Sequence, residues 1–276
     1  SIIKLMEDKM NIDHDIREVG VQMILLVEDS IRFYSSILPN LYGYILTQSR
    51  NFATEALTRH DASLRQRGRP KVVLARTYDE AWEIYQRYKD NCLGVISDVR
   101  FPINNNVERK EKTSAKDPEA GLKLLRAIRK EDEYLPLIIE SSEGDNRKKA
   151  EAEGFRFVDK NSKKMSVDLR HLLEEHMGFG DFIFRDPRTH EEVMRIRSLK
   201  ELQDNIFQIP RDSMLYHISR NHVSRWLSAR AIFPVSSFLK GITWHKLQDV
   251  DMHRQIIFDA IVAYRRMRNV GVVALF

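Results

Sequence analysis

Five times over its first 178 residues, this chain alternates a short apolar run with a helix-period pattern. That alternation restricts the fold more than any other feature, because parallel strands need long crossovers and those crossovers are usually helices. The apolar runs are Met23 to Val27, Lys71 to Ala75, Cys92 to Ile96, Leu135 to Ile139 and Phe155 to Val158. A long helical pattern from about Ile31 to Arg67 follows the first run. Pro39 inside it should kink or restart the helix, and Gly68-Arg69-Pro70 breaks it. The other helices are expected at Tyr78 to Tyr88, Ala120 to Arg129, Asn146 to Glu153 (capped by Gly154) and Val167 to His176. Residues 103–118 are polar and charged and read as a solvated, mobile loop. The fold class expected is α/β: a doubly wound five-stranded parallel sheet, followed by a mostly helical domain.

In such sheets the cleft lies at the carboxyl ends of the strands. The polar residues at those ends are Glu28, Asp29, Asp98, Ser141 and Lys160, and the strand assignments predict that all five converge on one edge. Paired carboxylates at one strand end and a third at another form a hard oxygen site of the kind magnesium prefers. Asp29 and Asp98 would be direct ligands, Glu28 direct or through water, and the backbone carbonyl of Arg100 a further oxygen. Asp98 is placed to attack a phosphoryl group. Lys160 would hold the phosphoryl oxygens, and the Ser141 hydroxyl would donate to one of them. Any one acid here would otherwise pass for a solvated strand end or a helix cap; the joint pattern carries the weight.

The segments Ile24-Leu25-Leu26-Val27-Glu28-Asp29, Asp98-Val99-Arg100-Phe101-Pro102, Pro136-Leu137-Ile138-Ile139-Glu140-Ser141-Ser142 and Gly154-Phe155-Arg156-Phe157-Val158-Asp159-Lys160 together resemble the response-regulator receiver family of two-component signalling. The resemblance covers about residues 22–178. It implies phosphorylation of Asp98 with Mg2+, a sensor histidine kinase or other phosphodonor as partner, and Phe157 as an aromatic switch that turns inward with Ser141. On the residues alone, Phe157 is equally a core side chain. Three departures stand out. Asn161 follows Lys160 where the family has a proline with a cis bond, and a cis bond before a non-proline residue costs about 3 kcal/mol. The helix after the first strand is unusually long, and a charged insertion follows Pro102.

The domains expected are an N-terminal helix at 1–20, read as the end of a preceding domain and closed by Gly20, the receiver at 21–178, and a helical connector or output domain at 179–276. The last contains a hairpin or irregular segment at 181–197 and helices near Leu199–Phe207, Asp212–Phe233, Val235–Leu239 and Asp251–Arg268. The terminal run Val272 to Phe276 reads as strand-like, and with the apolar start at Ile2 it suggests a region excised from a longer protein.

Two functions compete for the second domain. Ser219 to Leu227 looks like the recognition helix of a helix-turn-helix protein, with Ser219, Arg220, Asn221 and Arg225 facing DNA. His217 stands where that motif has glycine, however, and Asp249, Asp251 and Asp259 dilute the positive field. The segments Phe179 to Arg185, Tyr216 to Asn221 and Ser224 to Arg230 are more similar to a region of some bacterial proteins. There it lies between a receiver and a nucleotide-binding domain of the phosphoenolpyruvate synthase or pyruvate phosphate dikinase type. That resemblance implies a receiver regulating a phosphotransferase in the same parent chain, with no phosphoenolpyruvate made by this chain itself. A third reading is a degenerate receiver used as an interaction scaffold.

Net charge is +5, but 45 basic residues are mixed with 40 acidic ones, so bulk charge does not argue for nucleic acid. One cysteine, Cys92, excludes an internal disulfide framework and suits a reducing cytoplasm. Phe33, Tyr34, Tyr42 and Tyr44 form an aromatic stripe read as core, and the part of their helix beyond the sheet is available to pair with another subunit. The nine histidines offer no metal spacing, and no membrane partner is expected.

Overall fold

The computed structural model describes residues 1–56, 58–104, 116–247 and 249–273. Most of the charged loop expected at 103–118 lies outside the described residues. The chain divides into two compact units: Ser1–Ile45 with Pro70–Leu172, and Leu46–Arg69 with Leu173–Phe276.

The first unit is built on five strands: β1 (Met23–Val27), β2 (Lys71–Ala75), β3 (Cys92–Asp98), β4 (Leu137–Ser141) and β5 (Arg156–Asp159). All pairings are parallel, in the order β2-β1-β3-β4-β5. The helices of the chain's first part are α1 (Ile2–Val19), α2 (Ile31–Thr54), α3 (Arg59–Arg67), α4 (Tyr78–Tyr88), α5 (Ala120–Glu131), α6 (Asp145–Ala152) and α7 (Met165–His176). This is a flavodoxin-like fold, a parallel sheet with flanking helices. Every residue of β1 is buried, as are Val95 and Ile96 of β3 and Ile138 and Ile139 of β4. Each such side chain contributes about 1.5–3 kcal/mol on leaving water. Sheets covered on both faces read as continuous apolar runs, which is why the strands were visible in the sequence.

The N-terminal helix α1 bonds directly to this unit. Asp8 is fully buried; it accepts hydrogen bonds from the Val72 backbone N–H (3.0 Å) and the Tyr42 hydroxyl (2.9 Å). Lys71 lies 3.6 Å from Asp8 and 2.8 Å from Asp15. Gly20 ends the helix in the left-handed region, at φ 82°, where it bears no Cβ penalty. The long helical pattern after β1 forms two helices, α2 and α3, and α2 runs through Pro39 without a break. Pro39 is exposed, and the Asn40 side-chain amide donates to the Ser36 carbonyl at 3.3 Å, a side-chain donor within the turn that the proline weakens.

The second unit holds a hairpin, β6 (Phe182–Arg185) with β7 (Glu192–Ile196), and the helices α8 (Leu199–Asn205), α9 (Arg211–Ser219), α10 (His222–Ala229), α11 (Phe233–Lys240) and α12 (Val250–Val273). The helix expected over Asp212–Phe233 is therefore divided. Asn221 takes φ 56° between α9 and α10, a conformation that asparagine tolerates better than most residues. The expected terminal strand is also corrected: Val272 and Val273 continue α12, and 274–276 lie outside the described residues. Gly178 sits at φ 83°, and a Cβ there would stand 2.8 Å from the Trp226 Cα. Arg230 donates to the carbonyls of Gly178 (2.6 Å) and Gly180 (2.8 Å) while lying over the rings of Trp226 (4.0 Å) and Phe52 (4.3 Å). Among the described residues, no helix is long and apolar enough to cross a membrane.

Buried within this unit, the Arg185 N–H donates to Nε2 of His217 at 3.0 Å, so the proton of His217 must sit on Nδ1. From there it faces Nδ1 of His222 at 3.0 Å, which must accept. Both rings are thus held neutral. Burial, then the charges of Arg185 and Arg220, press the pKa of His217 down to about 4. An unfolded histidine titrates near 6.5, so between those values the unfolded chain binds more protons and stability falls as pH falls. We expect the second unit to lose about 2 kcal/mol at pH 5 relative to pH 7 through His217 alone. Urea unfolding followed by Trp226 and Trp244 fluorescence checks this, with His217→Gln flattening the difference.

Candidate functional site

The site lies at the carboxyl edge of the sheet in the first unit. Glu28 and Asp29 follow β1, Asp98 ends β3, Ser141 ends β4 and Lys160 follows β5. Parallel register aligns these ends: Asp98 pairs with Glu140, and Ser141 with Asp159. The Lys160 backbone N–H donates to the Ser141 carbonyl at 2.9 Å, and that of Glu28 to the Ala75 carbonyl at 3.0 Å.

One oxygen each of Glu28, Asp29 and Asp98 lies within 4.8 Å of the others. The Lys160 ammonium enters this group. Its side chain is only 2% exposed; it bonds Glu28 Oε2, lies 2.7 Å from Asp98 Oδ1 and 3.9 Å from Glu140 Oε1. It also stands 4.5 Å from the centre of the Phe33 ring, a favourable contact for a cation. Asp29 pairs with Lys116 at 2.7 Å. Glu28 accepts from the Ser30 N–H at 2.8 Å.

The electrostatics follow from burial. Glu28 is raised above the usual carboxylate range by burial, with Lys160 opposing and Asp98 adding to the rise. Burial pushes the Glu140 carboxyl up to about 8, again against the pull of Lys160. For Lys160, burial works against the ammonium, but Glu140, Asp98 and Glu28 outweigh it and the net shift is upward. The lysine therefore stays charged at neutral pH.

Ser141 is buried, and its Oγ accepts from Asn146 Nδ2 (2.9 Å) and from the Glu143 N–H (3.1 Å). Neither contact uses the hydroxyl proton. Phe157 is half-buried on β5, and the Arg147 guanidinium lies 4.7 Å from its ring centre. Arg100 is exposed on the turn after β3, where Phe101 bridges to Asp117. The peptide bonds of the described residues are all trans, the one before Asn161 included. Asn161 takes up the loop by other means: its N–H donates to Asp159 Oδ1 (2.8 Å) and its amide to the Ser142 carbonyl (2.9 Å).

Several site residues were not singled out from sequence. Glu140 was the most visible, because a charge inside an apolar strand run needs an explanation. Phe33 was taken for core. Gly121 gave no signal, yet a Cβ there would stand 1.9 Å from the Asp98 carbonyl oxygen.

The donor set fits a hard divalent cation. Three carboxylates converge, and in this structure positive charge from Lys160 and Lys116 already stands against them.

No protein-family model and no curated protein matches the chain. Among solved structures, it is similar to a response regulator receiver domain protein from Clostridium thermocellum, with 21% identity and a TM-score of 0.35, covering 55% of this chain and 91% of that one. The fold assignment rests on this chain's own strand order and crossovers.

Proposed function

We propose that the first unit is a phospho-acceptor receiver and that Asp98 carries the phosphoryl group. The observation that carries this reading is the buried Lys160 ammonium bridging Glu28 and Asp98 at the carboxyl edge of a parallel sheet. An Asp98 oxygen forms a bond to phosphorus while the bond from phosphorus to the donor's leaving group breaks, and the leaving group departs with the electron pair. Lys160 turns its charge toward the phosphoryl oxygens. Ser141 donates its unused hydroxyl proton to one of them.

Glu28, Asp29 and Asp98 would hold Mg2+, with the Arg100 carbonyl as a further oxygen. The ion supplies the positive charge that lets an anionic carboxylate meet an anionic phosphoryl group. Phe157 is the candidate switch: an inward turn of its ring would end the stack with Arg147. The donor is a histidine kinase or another phosphoryl donor. The second unit is the output, regulating an enzyme of the phosphoenolpyruvate synthase type.

DNA binding gains no support from α10. All its residues from Val223 to Ala229 are buried, Arg225 included, and Arg220 stacks on Tyr216 at 4.1 Å. The scaffold reading draws on a specific observation: Glu28, Asp98 and Asp29 each pair with a lysine of the chain itself, Lys160 or Lys116.

Beryllofluoride separates the two. With Mg2+ and beryllofluoride, the melting temperature of the first unit is expected to rise by several degrees, since a ligand at 100 times its Kd adds about 2.7 kcal/mol. Asp98→Asn should abolish the rise. An unchanged melting temperature in the native chain at saturating ligand refutes the phospho-acceptor reading and leaves the scaffold.

A further inference from the structure

Glu140 occupies a position in β4 where an isoleucine or valine would serve the sheet better. It is 1% exposed, and neither of its oxygens has a hydrogen-bond partner among the described residues. A buried polar group left unsatisfied is destabilising, and such groups persist where function requires them. Among the described residues, the one cation within ion-pair reach is Lys160, at 3.9 Å. Lys160 therefore has three carboxyl groups around it and bonds closely to two, Glu28 and Asp98. Those two are the groups that the proposed function gives to the metal and the phosphoryl group.

We propose that Glu140 is a positioning residue that receives the Lys160 ammonium when Glu28 and Asp98 give their oxygens to a divalent cation. The inference rests on the receiver reading. An ammonium 2.7 Å from Asp98 Oδ1 competes directly with any cation for that oxygen. Leaving it there would weaken cation binding by like-charge repulsion, and moving it away unpaired would strand a buried charge. Glu140 resolves the conflict at small displacement: closing 3.9 Å to a charge-assisted hydrogen bond of about 2.8 Å moves Nζ by about 1 Å. Lys160 then remains buried, charged and beside the reacting oxygens. The same device accounts for two Glu140 oxygens without a hydrogen-bond partner among the described residues: they stand ready to accept the ammonium.

Calorimetric titration of the full chain with Mg2+ tests this, using the native sequence, Glu140→Leu, Glu140→Gln and Asp29→Asn. Glu140→Leu removes the acceptor and is expected to weaken Mg2+ about tenfold, within the range of couplings between contacting residues. Glu140→Gln keeps an acceptor oxygen and should stay within about twofold of the native affinity. In a Lys160→Met background, Glu140→Leu should change the affinity no further, since its effect passes through the lysine. Equal affinity for Glu140→Leu and the native chain overturns the inference. So does Glu140→Gln binding as weakly as Glu140→Leu, which would mark a simple loss of negative field. Where Glu140→Leu does not fold, the Lys160 side-chain nitrogen resonance of the native chain decides: it should move with Mg2+ saturation, and a resonance that stays at its metal-free position overturns the proposal. Native affinity retained in Asp29→Asn, or no Mg2+ binding by the native chain, overturns the receiver reading together with this inference.

Discussion

Replacing Lys160 by methionine is expected to destabilise the first unit by about 3–5 kcal/mol at pH 7, the usual result of removing one partner from a buried ion pair. The cause is local. Glu28 is fully buried and Glu140 nearly so, and Lys160 is their shared cation; without it, two buried carboxyls and Asp98 face one another. The sign of the pH dependence follows. A carboxyl whose folded pKa lies above its unfolded value binds its proton more tightly when folded. It contributes stability that is present at low pH and lost as pH rises through the folded value. Glu28 and Glu140 are both raised already, Glu140 to about 8. Without the lysine they rise further. The deficit of Lys160→Met should therefore shrink as pH falls from 8 to 5, and it should shrink at pH 7 when Mg2+ is added. Urea unfolding across that pH range measures it. Equal stability of the variant and the native chain at pH 7 would show that the lysine does not hold these acids together.

Gly121→Ala should produce the second large effect, through shape alone. Gly121 opens α5, and its N–H donates to the Val99 carbonyl at 3.0 Å. A methyl group there would come to 1.9 Å from the Asp98 carbonyl oxygen and 2.9 Å from its carbon, both backbone atoms that cannot swing aside. Either the first turn of α5 or the end of β3 must move. Overpacking of this kind costs about 1–3 kcal/mol and occasionally more. The movement falls on the acceptor, so we expect phosphoryl uptake at Asp98 to drop at least tenfold, because misplacing a reacting group by about 1 Å costs up to a hundredfold. Unfolding in urea reads the first loss, and intact mass against time with a phosphodonor reads the second. Native stability and native uptake together would show that this contact is not as close as it stands here.

The sheet was legible because its strands are covered on both faces and so appear as unbroken apolar runs, each ending in a polar residue. Glu28, Asp29, Asp98, Ser141 and Lys160 could be placed at one edge from strand ends alone; the structure brings one oxygen each of Glu28, Asp29 and Asp98 within 4.8 Å of the others and pairs Lys160 with Glu28 and Asp98. Asn161 shows what strand ends do not reveal. The loop after Lys160 keeps a trans bond and is tied down by the Asn161 side chain, a contact between loops distant in sequence. The break at Asn221 was hidden for a similar reason. It depends on a single dihedral angle, which periodicity does not encode. Gly121 was hidden because its role is to lack a side chain beside Asp98. The units themselves are discontinuous in sequence: residues 46–69 belong with 173–276, through contacts such as Tyr264 with Asp61 (3.2 Å), which link positions far apart in the chain.

The most direct test of the account is intact mass after incubation with Mg2+ and acetyl phosphate, beside Asp98→Asn. We expect the native chain to gain one phosphoryl group, only with Mg2+ present, and Asp98→Asn to gain none. A native chain that stays unmodified, or an Asp98→Asn variant that gains the group equally, would contradict the assignment of Asp98 as the phospho-acceptor.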